Sequence, residues 1–193
     1  MADTTSAQSV KRSSQGLSAE RESSFEFKTL SQYGVDLTEL ARQGRLETIS
    51  GYESKVQRTL RTLARNAKNN PVLVGEALTA RNIIVEGVAA MIANGNAPVN
   101  LLNKRVFSLN LQSLSSGVRG YEEFKARFEN VLSEVKSAKG RIILFIDGLD
   151  TLVEDGAGVS STVTRLEAAL AHDELRVIGA ATRDAFNQKL ARP

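Results

Sequence analysis

The fold of this 193-residue chain is decided by residues 68–93, KNNPVLVGEALTARNIIVEGVAAMIA. The run Pro71-Val-Leu-Val-Gly75 is short, apolar and ends in glycine, which predicts a buried strand followed by a turn. The segment after it carries apolar residues at helical spacing, and this pattern predicts a helix from about Arg81 to Ala93. A strand, a turn and a helix in this order open a βαβ unit.

The same alternation continues on both sides of this unit. Upstream, Asp36 is the predicted N-cap of a short helix that stops at Gly44, and a second helix is predicted from about Glu53 to Ala67. The downstream elements are strand Arg105 to Leu109, helix Tyr121 to Ser137, strand Arg141 to Ile146, helix Ser160 to Ala171, strand Leu175 to Ala180 and a final helix from Asp184. Four apolar strands that alternate with helices predict an α/β fold, in which helices cover both faces of a mostly parallel sheet and make three layers.

The composition argues against several classes of function. Lys and Arg number 25 against 22 for Asp and Glu, so a net charge of +3 is too small to indicate binding to nucleic acid or to a membrane. The absence of cysteine excludes a disulfide framework and a thiolate nucleophile. His172 is the single histidine and lies in a polar segment, so we expect no metal site and no Ser/His/Asp triad. No apolar run approaches the ~20 residues of a membrane span, and we expect a soluble protein.

The first 32 residues differ in composition from the rest of the chain. They are rich in serine, threonine and charge, so they cannot offset the entropy of ordering. We therefore predict a disordered tail at 1–32 and one domain at 33–193. The tail lacks the apolar core of a secretory signal, which favours a cytoplasmic location. Its cations Lys11, Arg12 and Arg21 leave an organellar matrix as the alternative, although four acidic residues argue against a transit segment.

Several spaced blocks of the chain closely resemble the first AAA+ domain of Clp family unfoldases and disaggregases. The blocks are Asp36 to Leu46, Lys68 to Glu76, Ile84 to Gly87, Ile142 to Asp147 and Leu175 to Thr182. The resemblance is collinear from about Tyr33 to Pro193, and it implies the large subdomain of an AAA+ P-loop NTPase. It also implies a domain that binds ATP between the subunits of a hexameric ring and pulls polypeptide through the central pore.

The phosphate loop of that family has the form G-x-x-x-x-G-K-[ST]. The segment here reads GEALTARN, in which Gly75 keeps the first position, while Ala80, Arg81 and Asn82 replace the second glycine, the lysine and the hydroxyl residue. An added Cβ, a larger planar cation and an amide are poor substitutes for those groups. Residues 77–79 also favour a longer helix. The segment is therefore either a residual strand-to-helix turn or a loop in which Arg81 still holds a phosphate weakly.

The hydrolysis motif is also changed. In the family an apolar strand ends in Asp-Glu, where the aspartate supports magnesium and the glutamate polarises the attacking water. Here the strand ends in Asp147 and Gly148, and glycine has no group to orient water, so no catalytic residue is predicted. Asp150 and Glu154 are candidate substitutes, but their position beyond the strand end favours a solvated turn.

Two further segments of the family pattern are altered. The segment that can sense the γ-phosphate reads Gly-Ala-Ala-Thr, with Ala181 at one of two usual threonine positions and Thr182 retained. The segment near adenine reads Ile49-Ser-Gly-Tyr52 instead of an apolar-apolar-Gly-Arg pattern. Losses at four places converge on one ligand, so no cofactor is expected. The alternative is weak ATP–Mg²⁺ binding through the residues that remain at the phosphate loop and at Asp147.

The pore loop and the end of the chain complete the comparison with the family. The family presents Lys/Arg-Tyr-Arg-Gly toward the pore, whereas here Tyr121 stands one position away; it either contacts substrate or begins the next helix and packs locally.

The chain stops at Pro193, before the family's arginine finger, fifth strand and helical lid. In the AAA+ strand order 5-1-4-3-2, a missing fifth strand leaves the strand Pro71 to Val74 as an open edge for association.

These observations favour a non-catalytic, Clp-like AAA+ module in protein quality control. Such a pseudo-ATPase would bind or modulate an unfoldase ring, an adaptor or an unfolded client, within an oligomer and without enzyme activity. The alternative is a divergent ATP-binding chaperone subunit, in which Arg81 and Asp147 hold nucleotide weakly and Tyr121 contacts polypeptide. A truncated product without a selected role is a third hypothesis.

Overall fold

A single sheet organises the protein in its computed structural model, which describes residues 27–46, 50–149, 170 and 175–190. The strands of the described residues are β1 (Gly34–Asp36), β2 (Val72–Val74), β3 (Arg105–Leu109), β4 (Ile142–Asp147) and β5 (Arg176–Ala181). Their order is β1-β3-β4-β5-β2. Strands β2 to β5 are parallel, and β1 runs antiparallel to β3. The predicted parallel sheet is confirmed, and its neighbours follow the AAA+ order, with β1 added at one edge.

The helices of the described residues surround this sheet. They are α1 (Lys28–Tyr33), α2 (Leu37–Arg42), α3 (Glu53–Leu63), α4 (Leu78–Ala93), α5 (Leu111–Ser115), α6 (Tyr121–Ser137) and α7 (Arg183–Ala185), with a 3₁₀ turn at Val99–Leu101 and a π turn at Phe186–Leu190. Helix α6 has the predicted bounds, whereas α3 ends four residues earlier than predicted and α5 was not predicted at all. The predicted helix Ser160 to Ala171 lies outside the described residues, apart from Leu170.

Successive residues of the central strand β4 belong alternately to two apolar cores, one on each face of the sheet. In β4, Leu144 and Ile146 join the core that contains α1 and α6, whereas Ile143 and Phe145 join the core that contains α3 and α4. A strand buried on both faces needs apolar residues at every position, which is why the sequence of β4 is a continuous apolar run. The three-layer α/β architecture is therefore confirmed.

The predicted boundary of the disordered tail is wrong. Phe27 is 3% exposed and Leu30 is fully buried, and α1 begins at Lys28, so the last residues of the segment assigned to the tail belong to the fold. The carboxylate of Glu134, on α6, accepts hydrogen bonds from the backbone N–H groups of Thr29 (3.1 Å) and Leu30 (2.6 Å). These contacts order the segment through a helix more than a hundred residues away, so local composition could not reveal them. Residues 1–26 lie outside the described residues.

Asp36 joins this N-terminal segment to the sheet. Its Oδ1 accepts a hydrogen bond from the backbone of Glu39 at 3.0 Å, which confirms the predicted N-cap, and its Oδ2 accepts one from Arg105 Nε at 2.6 Å. The guanidinium of Arg105 lies 5.3 Å from the ring centres of both Phe27 and Phe107. Strand β1 was missed because a three-residue strand has too little periodicity to recognise.

The opposite edge of the sheet is formed by β2. Val72 and Val74 are 41% and 40% exposed. The backbone of this segment pairs with β5, through Gly179 N to Pro71 O (2.9 Å) and Gly75 N to Ala181 O (3.2 Å). Among the described residues no strand lies on its other side and no lid helices are present. The prediction of an open edge is confirmed for this part of the chain.

Candidate functional site

The candidate site lies where β2 and β4 end and α4 begins. In parallel α/β sheets, ligands bind beyond the carboxyl ends of the strands. Strand β2 ends at Val74 and β4 ends at Asp147, so both point their carboxyl ends to this edge. Only the three residues 75–77 connect β2 to α4, since the helix begins at Leu78.

The segment that would form the phosphate loop is helical for most of its length. Helix α4 begins three residues before Arg81, and the backbone N–H of Arg81 donates to the carbonyl of Ala77 at 3.3 Å. Residues 78–82 therefore lie in a regular helix, and the predicted lengthening of this helix is confirmed. Ala80 continues the helix at a position where the family's glycine would interrupt it.

Arg81 is bound to the residues around it. The residue is 8% exposed, its Nε donates to Asp147 Oδ1 at 3.0 Å, and its Nη2 approaches Asp147 Oδ2 at 3.4 Å. Its Nη1 donates to the backbone carbonyl of Gly75. A planar guanidinium suits this two-pronged contact with a carboxylate, which a lysine ammonium cannot reproduce.

The structure thus brings together three of the sequence-predicted site residues, Gly75, Arg81 and Asp147. The guanidinium of Arg81 contacts both the carboxylate of Asp147 and the backbone carbonyl of Gly75. The resemblance assigns a cation that reaches the outer phosphates and a carboxylate that supports magnesium to positions 81 and 147. In this arrangement the two groups form an ion pair, and their role in holding a nucleotide stays a prediction.

Gly148, which the resemblance matches to the family's catalytic glutamate, has a backbone conformation that favours glycine. Its φ is +73°, in the left-handed region that L-residues with a side chain rarely adopt. Its N–H donates to the carbonyl of Ala180 at 3.0 Å, which holds this corner against β5. The backbone at position 148 therefore disfavours any residue with a side chain, and the loss of the catalytic glutamate stays a prediction.

Thr182, which the resemblance associates with phosphate sensing, acts here as a helix cap. Its Oγ1 accepts a hydrogen bond from the backbone N–H of Ala185 at 3.2 Å, at the start of α7. A carboxylate oxygen of Glu76 accepts a second bond from the N–H of Arg183 at 3.0 Å. The first contact caps α7, and the second fastens the start of α7 to Glu76 in the turn that follows β2.

Tyr121 is the first residue of α6, and its ring packs beside Phe124 at 6.5 Å between centres. Phe124 in turn stacks on the buried Phe128 at 6.2 Å. The loop before Tyr121 is held by Glu123, whose carboxylate accepts from the backbone N–H of Arg119 (3.0 Å) and from Arg127 (2.7 Å). The first of these bonds, followed by the second, lowers the pKa of Glu123. Substrate contact by Tyr121 stays a prediction.

A cavity of about 930 Å³ joins Tyr121 to the phosphate-loop segment. The residues around it include Leu78, Asn82, Asn110, Gln112, Tyr121 and Asp147. Sequence reasoning treated Asn82, Asp147 and Tyr121 as parts of separate motifs and missed Asn110 and Gln112. The signal that could have found the last two is their position directly after the carboxyl end of β3.

Other residues that the sequence singled out do not join this site. Asp150, Glu154, Ile49 and His172 lie outside the described residues. The ring of Tyr52 lies under the ammonium of Lys55 at 5.1 Å. In the described ranges, no group of three or more His, Cys, Asp or Glu residues is arranged to hold a metal ion. The described helices also include none that is long and apolar enough to cross a membrane.

Comparison with known proteins identifies relatives for most of the chain. It is 42% identical over 164 residues to the chaperone protein ClpB of Bacteroides thetaiotaomicron, covering 84% of this chain and 19% of the relative. It is 41% identical over 169 residues to ClpB 2 of Thermosynechococcus vestitus, covering 86% of this chain and 19% of the relative. This chain is homologous to the ClpB/Hsp104 AAA+ chaperones. The homology covers part of their nucleotide-binding region, and no family model matches the chain.

Solved structures of Hsp104 support the homology at the level of the fold. The S. cerevisiae Hsp104–ADP complex matches with a TM-score of 0.75 and 38% identity, over 83% of this chain and 28% of that one. The S. cerevisiae Hsp104–casein complex in its extended conformation matches with a TM-score of 0.72 and 38% identity, over 82% of this chain and 27% of that one. The chain spans about a fifth of the length of the ClpB relatives it matches.

Proposed function

We propose that this chain is a non-catalytic Clp-like AAA+ module that works through protein contacts, by binding an unfoldase subunit, an adaptor or an unfolded client. The observation that carries the proposal is the contact of Arg81 with both Asp147 and the carbonyl of Gly75. Two residues that would otherwise serve phosphate and magnesium neutralise each other in this contact.

The energetics of this contact support the loss of nucleotide chemistry. Before Arg81 can meet a phosphate, it must leave a carboxylate with which it is largely buried, and separating a buried pair costs roughly 3–5 kcal/mol. The exposed fraction of the Asp147 side chain, 25%, reduces that cost to about 2–3 kcal/mol. The first turn of α4 must also unwind to form a phosphate-binding loop. These residues do not fit ATP–Mg²⁺ as a P-loop would hold it.

The homology supports the class of function. The relatives are named as chaperones, and one matched structure is a complex of Hsp104 with casein. This chain keeps the strands and the two apolar cores of the fold while its polar motif residues are changed. A module that acts through protein contacts needs the folded scaffold, and it does not need residues that bind or hydrolyse ATP. We infer a cytoplasmic location, with an organellar matrix as the alternative.

A thermal-shift titration with ATP–Mg²⁺ tests the loss of nucleotide binding. Binding to the native state would raise its stability by about 2.7 kcal/mol at a hundredfold excess over the dissociation constant. We expect no shift for the natural chain at millimolar ATP. The matched variant, A80G/R81K/N82T, restores the motif and is expected to gain a shift if it folds. A rise in the melting temperature of the natural chain with ATP would overturn the proposal.

A pull-down with the unfoldase of the same organism tests the contact itself. We expect the chain to be retained on the unfoldase, an adaptor or a client, and to change the rate of disaggregation when it is added. Absence of association together with an unchanged rate would contradict the proposed function.

The second candidate is a divergent ATP-binding chaperone subunit. It is favoured by the cavity that Asn82, Tyr121 and Asp147 share, because about 930 Å³ is enough for a ligand of nucleotide size. In this case Arg81 would release Asp147 on binding, and Tyr121 would contact polypeptide. The titration above distinguishes the two candidates, since only this one predicts an ATP-dependent shift for the natural chain.

A further inference from the structure

Helix α3 and the residues that follow it carry an unusual concentration of positive charge. Five exposed cations occur between positions 55 and 68, and the same stretch contains no acidic residue. They are Lys55, Arg58, Arg61, Arg65 and Lys68. Arg58 and Arg61 are three residues apart on α3 and lie on one side of it, and Arg65 follows the C-cap Ala64, with its backbone N–H bonded to the carbonyl of Thr62 at 3.2 Å. We call Arg58, Arg61 and Arg65 the arginine face.

The arginine face points away from the body of the protein. Val56, Leu60 and Leu63 are buried in the core against α4. This packing is close, because a Cβ added at Gly87 of α4 would lie 2.6 Å from a methyl carbon of Val56. At 3.6 residues per turn, Arg58 and Arg61 lie opposite these apolar residues, and Arg65, just beyond the helix end, is exposed as they are. The seven residue steps from Arg58 to Arg65 correspond to about 10 Å at the helical rise of 1.5 Å per residue.

Helices α2 and α6 each contain an ion pair between their own residues, whereas none is seen within α3 among the described residues. In α2, Glu39 lies 3.4 Å from Arg42, and in α6, Glu123 lies 2.7 Å from Arg127. The acidic residue of α3, Glu53, is used at the other end of the helix, where it accepts from the backbone N–H of Gly51. Within the described ranges, no carboxylate lies within ion-pair distance of the arginine face.

This charge arrangement costs the isolated helix some stability. Like charges three or four residues apart repel, and both neighbouring pairs of the arginine face have that spacing. The helix dipole favours cations at the C-terminal end, which compensates Arg65 more than Arg58. A carboxylate partner would relieve the repulsion.

We propose that the arginine face docks an acidic helical segment of a partner protein. Guanidinium groups bind carboxylates through two parallel hydrogen bonds, and glutamates spaced three and four residues apart on a partner helix would match the 10 Å span of about two turns. This inference rests on the proposed function, because a protein partner is expected only if the chain acts through protein contacts.

A nucleic acid fits the face less well than an acidic helix does. Duplex recognition uses a wider footprint of phosphate contacts, and single-strand binding combines cations with stacking aromatic rings. The arginine face contains three cations and no aromatic residue, and the ring of Tyr52, at the N-cap of α3, is already covered by Lys55. The net charge of the whole chain is also only +3.

Fluorescence anisotropy with a labelled helical peptide tests the proposal. The probe carries glutamates alternately three and four residues apart, and a second peptide carries lysines at the same positions. The full chain is compared with the variant R58Q/R61Q/R65Q and with a control variant, R42Q/K136Q/R183Q. The control removes the same charge from three exposed residues on other elements. We expect the first variant to bind the acidic peptide about tenfold more weakly, and the control to bind as the natural chain does.

Three outcomes of these binding measurements would overturn the inference. Equal weakening in both variants would show a non-specific charge effect, and no binding at about 1 mM peptide would show that the face does not dock such a helix. Tighter binding of a single-stranded DNA oligonucleotide would assign the face to nucleic acid. Circular dichroism of the variants excludes unfolding as the cause of lost binding. An ATP-dependent shift with intact peptide binding would overturn the proposed loss of nucleotide chemistry and leave the arginine face in place.

Discussion

Two arginine–aspartate pairs lie toward opposite ends of the parallel strands, since Arg105 begins β3 and Asp147 ends β4. Arg105 and Asp36 join β3 to the start of α2, with side chains that are 16% and 11% exposed. Arg81 and Asp147 join α4 to the end of β4, with side chains that are 9% and 25% exposed. The chemistry of the two contacts is the same, so the difference between them comes from their surroundings.

Packed groups surround the Arg105–Asp36 pair, whereas the Arg81–Asp147 pair borders a cavity. Arg105 lies between two aromatic rings, and the second oxygen of Asp36 caps a helix, so every group of that pair supports the fold. Asp147 instead faces a large cavity at the edge where ligands bind in α/β sheets. The Arg81–Asp147 pair therefore borders a cavity where a ligand could bind, whereas the Arg105–Asp36 pair is enclosed by packed groups of the fold.

The largest expected effect is the replacement of Asp36. The variant D36A removes a helix cap and leaves Arg105 without its carboxylate, so we expect a loss of about 4 kcal/mol of unfolding free energy. For a chain of this size the melting temperature should fall by roughly 10 °C. The control is E122A, whose ion pair with Lys125 is exposed and should contribute less than about 1 kcal/mol. Equal melting temperatures for the two variants would show that the Arg105–Asp36 pair does not stabilise the fold.

The next effect is expected at Arg81. The variant R81A leaves a partly buried carboxylate unpaired, so we expect a loss of about 2–3 kcal/mol, smaller than at Asp36 because Asp147 reaches solvent. The double variant R81A/D147A should recover part of this loss, since it also removes the unpaired charge. Urea denaturation of both single variants and the double variant measures the coupling. Strictly additive losses would show that the two residues do not form a pair.

A smaller effect is expected at Gly148. The variant G148E places a side chain at a φ of +73°, which costs about 1–2 kcal/mol, and it should not produce ATP hydrolysis because the phosphate loop is still altered. The control is G75A, since no atom lies within 4 Å of a Cβ built at Gly75 and its φ is not in the left-handed region. Denaturation and phosphate release are measured together. Hydrolysis by G148E would contradict the proposed function.

The smallest effect is expected for the ion pair of Glu123 with Arg127 on α6. The hydrogen bond from the backbone of Arg119, followed by that from Arg127, lowers the pKa of Glu123. A carboxylate with a lowered pKa in the folded state stabilises it above the unfolded pKa of about 4.5, and this contribution is lost as pH falls through the folded value. At about pH 7 the natural chain should therefore melt at a slightly higher temperature than E123Q, and this difference should disappear as the pH falls and the carboxylate is protonated. A difference independent of pH would show that the charge is not its source.

Much of the fold could be predicted because its signals are local. The apolar run of β4 and the helical spacing of α6 lie within single elements, so periodicity alone identifies them. The missed elements depend on partners elsewhere. Strand β1 is short and forms because Gly34 can approach β3, where an added Cβ would lie 2.8 Å from the carbonyl of Ser108. Phe27 is ordered by rings and cations from β3 and the start of β4, which sequence composition cannot register.

The sequence by itself determined the layered α/β architecture and the AAA+ resemblance, and through that resemblance it predicts departures from the family's motifs at positions 80, 81, 82 and 148. These follow from residue types at fixed spacing along the chain. Only the tertiary structure decided that Arg81 binds Asp147, 66 residues away, and that the arginine face has no carboxylate partner among the described residues. The physical reason is that a charged group responds to the groups that folding brings near it. Those neighbours are set by packing between distant elements, which no local pattern contains.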